Sequence, residues 1–182
     1  MKTEHTMIDI WLFATTTFAT SHFRLLMLSY NDILWRAIKR VQMPAVKEPV
    51  SLMRDDNKCP DGTTLLLWAR GNPMAWDVTV PDTYAESHIG STATKLGAVA
   101  YKTAQNKIDK YSKLASTHIF VPLAIETAGA WHEMAIELTQ EIGGRVTTIT
   151  EHTRETTFLF QRLSMALQRG NAVSFHNTMV TV

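Results

Sequence analysis

Cysteine is nearly missing from this 182-residue chain: Cys59 stands alone. No intrachain disulfide and no cysteine-built zinc knuckle can form, and a reducing intracellular setting, nuclear or cytoplasmic, is the expectation. A dominant charge is missing too. With 18 Lys+Arg against 17 Asp+Glu, the chain has no long-range field to hold DNA, RNA or an anionic membrane, so any nucleic-acid contact must be local and, in isolation, weak and salt-sensitive. Long apolar runs are also scarce. The stretch from Met7 to Leu28 is interrupted by Asp9, His22, Arg24 and several threonines, and Asp or Arg near the middle of a span costs roughly 2.5–3.5 kcal/mol each, so no membrane crossing is expected. A signal peptide over residues 1–21, with Lys2 as its basic start, ranks below a packed or frayed N-terminal extension. What is present, 45% hydrophobic and 19% charged residues, describes one globular domain and excludes a disordered or collagen-like chain.

From Asn31 onward the pattern sharpens. Ile33, Leu34, Trp35, Ile38 and Val41 recur near helical spacing, and Asn31 or Asp32 offers an N-cap. Pro44 ends that helix, and residues 45–53 read as extended, with Val46, Glu48, Val50 and Leu52 on one side. Residues 54–62 have turn composition. Residues 63–69 and 74–80 form an expected hairpin whose second member alternates: Trp76, Val78 and Val80 face one way, Asp77 and Thr79 the other. Then follow a long helix over residues 92–114 and a strand over 117–125, which Pro122 assigns to a sheet edge or a bulge. A helix over residues 131–142 is expected to stop at Gly143-Gly144, and a last one covers residues 151–169. The order α-β-β-β-α-β-α-α makes an α/β domain over residues 30–182, with a central mixed sheet of about four strands flanked by helices. Residues 1–29 form an extension of unknown role.

Two aspartates draw attention. Asp61 lies at the start of one hairpin strand and Asp77 within the next. Carboxylates converging on a sheet can hold a hard divalent cation, which polarises a phosphate and activates water. Taken alone, the pair reads more simply as a turn aspartate and an exposed aspartate paired with a lysine. The helix that follows shifts the balance, because it carries Lys95, Lys102, Lys107, Lys110 and Lys113. At about 100° per residue Lys107 falls about 60° from Ala104, at the border of the buried face, where its amine can reach the acids of the sheet. Lys110 follows one turn later, more exposed.

In order along the chain, Cys59-Pro60-Asp61-Gly62, Trp76-Asp77-Val78-Thr79-Val80 and Asn106-Lys107-Ile108-Asp109-Lys110-Tyr111 resemble the PD…DVTV…KxxKY pattern of the restriction-enzyme-like endonuclease domain. That domain lies at the C-terminal end of site-specific non-LTR retrotransposon polyproteins. Lys47-Glu48-Pro49 is similar to the strand before its PD motif, and Phe120–Ile125 resembles its later core strand. The resemblance implies a PD-(D/E)xK, restriction-endonuclease-like fold that nicks DNA. Asp61 and Asp77 become ligands of Mg²⁺ or Mn²⁺, Glu48 an accessory ligand, and Lys107, ahead of Lys110, the displaced catalytic lysine. Thr79 occupies the place of the lysine in the commoner D-x-K arrangement, which makes the displaced lysine a requirement, and Cys59 replaces a basic residue. Neither a reverse-transcriptase motif nor the family's zinc knuckle is present. The expectation is an isolated or truncated nuclease module, with a homodimer left open; a catalytically decayed binding module of the same fold is the alternative.

Other residues give less. His132-Glu133 lacks a second histidine at position 136, which is Ile, and reads as surface polarity. Trp68, Trp76 and Trp131 read as packing residues, Gly143-Gly144 as a helix cap, and Arg162 and Arg169 as a solvent-facing stripe within reach of a DNA backbone.

Overall fold

The computed structural model describes residues 24–52, 58–92 and 95–179, so the signal-peptide reading of residues 1–21 lies outside the described residues. Residues 24–40 form helix α1, with Leu26, Tyr30, Leu34, Ala37 and Ile38 buried along one stripe. The packed domain thus includes Leu26, upstream of residue 30, and Asn31 sits inside the helix instead of capping it. Gln42, at φ 57°, turns the chain out of α1.

A four-stranded sheet follows, in the order β1-β2-β3-β4, from β1 (Ala45–Lys47), β2 (Gly62–Thr64), β3 (Met74–Thr79) and β4 (Ile119–Ala124). The first three strands pair antiparallel, and β4 runs parallel to β3, so the sheet is open and mixed. The parallel step requires a crossover, made by α2 (Glu86–Thr92) and α3 (Ala98–Lys110). Helices α4 (Glu133–Thr150) and α5 (Glu155–Met179) are the last of the described elements.

Alternation along the strands separates two layers. Trp76, Val78, Val121 and Leu123 join the main core with α1, α4 and α5. On the other face Ala124 meets Ala100 and Ala104 of α3; such small side chains let the helix lie close to the sheet and bring its lysines within reach of it. The parity expected for β3 therefore holds, and Pro122 does lie on an edge strand.

Several local expectations are corrected. Beta pairing stops at Lys47, because Glu48 adopts φ 48° and a 3-10 turn (Val50–Leu52) follows; Glu48 and Val50 are exposed, not set among apolar neighbours. Strand β2 ends at Thr64, whose hydroxyl accepts from the Met74 N–H and donates to the Leu66 carbonyl, so Leu65, Leu66 and Leu67 leave the sheet. Arg70 and Gly71, at φ 50° and 75°, supply the two left-handed residues of a two-residue hairpin loop. The helix expected over residues 92–114 is shorter: α3 starts only after Gly97, at φ 79°, and ends at Lys110, while the separate α2 ends where the expected range begins. Buried Glu126, beyond β4, caps α3 by accepting from the Val99 and Ala100 N–H groups. His132 is buried, and its Nδ1 accepts from Met134 N–H at the start of α4.

Gly143-Gly144 does not stop α4, which continues to Thr150 and ends at left-handed Glu151. Gly143 lies where α4 meets α5: a Cβ there would come within 2.5 Å of the Thr156 Cα, whereas a Cβ on Gly144 would meet nothing within 4 Å. The same substitution should therefore have opposite signs at adjacent positions. Gly143→Ala is expected to destabilise the domain by about 1–3 kcal/mol through overpacking, and Gly144→Ala to stabilise it by about 0.4–1 kcal/mol, as read from urea midpoints.

Candidate active site

Asp61 enters β2 directly ahead of Gly62, which pairs with Trp76. The close approach requires glycine: a Cβ at Gly62 would fall 2.1 Å from the Trp76 indole. Asn31 of α1 locks this corner. Its carboxamide oxygen accepts from Trp76 Nε1 at 2.9 Å, and its Nδ2 donates to the Asp61 carbonyl at 3.2 Å. The same carbonyl accepts from the Glu48 N–H at 3.0 Å. With the main chain fixed, the Asp61 side chain reaches β3, where Oδ2 accepts from the Val78 N–H at 2.6 Å.

Asp77 lies one residue before Val78 and faces α3. It is 4% exposed, and its Oδ1 receives Lys107 Nζ at 2.5 Å with the Thr79 hydroxyl at 3.4 Å. A carboxylate this buried requires a charged partner, and Lys107 is that partner. Tyr111, the residue that caps the C-terminal end of α3, packs its ring on Phe120 at 4.8 Å and donates its hydroxyl to the Cys59 carbonyl at 3.0 Å. Lys110 Nζ reaches the Tyr111 hydroxyl at 3.1 Å.

The charges in this corner act on one another. The Asp61 carboxyl is pushed up to about 6, chiefly by burial and then by the negative charge of Asp77; Glu48 adds a smaller push, and the Val78 N–H and Lys107 oppose it. Burial and the Asp77 carboxylate raise the Tyr111 phenol far above its ordinary range. The Cys59 thiol is raised by burial and by the charges of Glu48 and Asp61.

Asp61, Asp77 and Lys107 are thus brought together, with Lys110 held beside them through Tyr111. Glu48 touches the site through its backbone, and its side chain is exposed. Among the described residues no group of three or more His, Cys, Asp or Glu side chains converges as a metal cage, so Glu48 does not complete one. Mg²⁺ needs less: it keeps several waters and is held by one or two carboxylates. Two crowded carboxylates, one of them bearing the cost of ionising beside the other, fit that requirement. Sequence patterns missed Asn31 and Tyr111 as organisers of the site; a polar side chain inside the apolar stripe of α1 was the available signal for Asn31.

No helix among the described residues is long and apolar enough to cross a membrane. No protein-family model matches the chain, and no curated protein matches it.

The raised Asp61 has a consequence for stability. Folded Asp61 keeps its proton to about pH 6, against an ordinary value of 3.8, so between these values the folded state binds more protons than the unfolded chain. Stability should fall as pH rises through that window, and a cost on the order of 2–3 kcal/mol is fully present above it. Asp61→Asn, which still accepts from the Val78 N–H, should flatten the slope and raise stability at pH 7. Urea unfolding across pH 3.5–7.5 reads both effects; an unchanged slope would show that Asp61 ionises normally.

Proposed function

We propose that this chain is a metal-dependent endonuclease domain with a restriction-endonuclease-like fold that nicks DNA by phosphodiester hydrolysis. The observation that carries the reading is the convergence of Asp61 and Asp77 beside the Lys107 ammonium, at the end of the sheet that α3 covers. The three ordered motifs support a retroelement origin.

Asp61 and Asp77 are the residues that would hold Mg²⁺ or Mn²⁺, and the bound ion supplies Lewis-acid polarisation of the scissile phosphate and a water of lowered pKa. Lys107 does what the chain's own chemistry allows: its ammonium, held against Asp77, presents positive charge where a phosphate would gather negative charge. Lys110 extends that charge along the helix, and Tyr111 is a positioning residue that ties α3 to the Cys59 carbonyl and so fixes the approach to Pro60-Asp61. With a net charge of +1, the isolated domain is expected to bind duplex DNA only at low salt.

A second reading has one observation in its favour. The Asp77–Lys107 pair is close and sheltered, and it neutralises one of the two acids that would hold a cation, as a binding module that no longer turns over would tolerate. Calorimetric titration with Mg²⁺ or Mn²⁺ separates the two. Uptake that disappears in Asp77→Asn supports the nuclease, and DNA binding without metal uptake supports the module.

Incubation of the purified chain with supercoiled plasmid and Mg²⁺ or Mn²⁺ should produce open circles. Asp61→Ala and Asp77→Ala should each lower the nicking rate by roughly 10³-fold or more, and Lys107→Met by about 10²–10³-fold. Absence of nicking in the parent chain, or its survival in both aspartate variants, overturns the enzyme reading.

A further inference from the structure

On the side of the sheet away from Asp77, helices α1 and α5 run antiparallel and touch near two ends. Arg40 grips Glu155 through two hydrogen bonds of 2.8 and 2.7 Å at one end. At the other, Gly170 receives Leu26 so closely that a Cβ would lie 2.9 Å from its methyls. From Leu26 to Arg40 the helix spans roughly 21 Å at 1.5 Å per residue. An open groove of about 890 Å³ lies along this length.

The walls of the groove are unusual for a surface facing only water. Leu25, Leu28, Met165 and Val173 line it and each leave between 46% and 61% of their surface exposed. Contiguous exposed apolar side chains of this kind mark interaction sites more often than scattered ones do. The charge along the same groove is one-sided. Arg36 and Arg40 are matched by Asp32 and Glu155, but Arg162 and Arg169, two turns apart on α5 and both exposed, have no acid against them among the described residues.

We infer that this groove docks an acidic amphipathic helix of a partner protein, whose apolar stripe covers Leu25, Leu28, Met165 and Val173 and whose carboxylates meet Arg162 and Arg169. A helix laid into such a groove reads out apolar anchors at i, i+3 or i+4 and i+7. About four turns, roughly 14 residues, match the available length. Arginine suits the rim because its planar guanidinium pairs bidentately with carboxylates and stays charged. A nucleic-acid backbone suits the groove less well, since its phosphates would be stripped of water against leucine, methionine and valine. The site lies on the opposite face from Asp61 and Asp77 and does not depend on nuclease chemistry.

A displayed library of helical peptides about 16 residues long, selected against the full chain, tests the inference. Enriched helices should carry Asp or Glu flanking an apolar stripe of that spacing. Their affinity, measured by fluorescence anisotropy on synthetic copies, should fall at least tenfold in Met165→Asp and at least tenfold in the double variant Arg162→Glu, Arg169→Glu. Both variants change exposed side chains and should unfold at the parent's temperature. The inference is overturned by any of four results: binders without acidic bias, binders indifferent to both variants, displacement of the peptides by a short DNA duplex, or a parent-chain dimer in sedimentation that Met165→Asp dissociates. The third result assigns the groove to nucleic acid and the fourth to a second copy of the chain.

Discussion

The hydrogen bond from the Val78 N–H to the Asp61 carboxylate joins two parts of the chain that the sheet alone would hold loosely. Strand β2 has only three residues, and its pairing with β3 is correspondingly brief. The side chain of Asp61 extends that pairing past the end of the ladder, with a carboxylate oxygen in the role of a backbone carbonyl. A charge-assisted bond of this kind is stronger than a neutral one. It also commits a carboxylate to a sheltered position beside a second acid, and the upward push on its proton affinity is the electrostatic cost of that placement.

Everything else around the corner serves to keep this arrangement in place. Asn31 spans from the Trp76 indole to the Asp61 main chain, so α1 senses the position of both hairpin strands through one carboxamide. Gly62 lets the indole lie across the strand. On the opposite side the alanines of α3 allow a close approach that carries Lys107 to Asp77 and Tyr111 to the Cys59 carbonyl. The buried acid at Glu126, satisfied by N–H groups of α3, sets where that helix begins and hence which of its lysines faces the sheet.

Much of this was legible in the residue pattern where a short-range period controls the outcome. The alternation of Trp76, Asp77 and Val78 placed the acid on the face away from the large apolar side chains, and the helical angle between Ala104 and Lys107 placed the amine at the border. What the pattern could not contain were outcomes decided by a distant neighbour. Gly143-Gly144 carries a stop signal in isolation, yet Thr156 needs the space that a glycine leaves, and the helix runs on. The start of α3 depends on Glu126, which follows the next strand. Glu48 looked like a core-facing acid because period-two counting assumes that the strand continues; its positive φ ends that counting one residue beyond Lys47. Asn31 looked like a cap because asparagine favours caps, whereas its actual partners come from two strands of the sheet.

Pro122 carries a consequence beyond its own position. The N–H groups of Ile119, at the start of β4, and of Ile125, just past its end, bond inward to the carbonyls of Pro73 and Thr79, so the intervening even-numbered residues present theirs to the outer margin of the sheet. Proline at residue 122 deletes the middle donor of that row. The opposite margin, β1, is only three residues long. One border thus has a gap in its donors and the other is too short to template a neighbour, which protects the sheet against strand-by-strand polymerisation even at high local concentration.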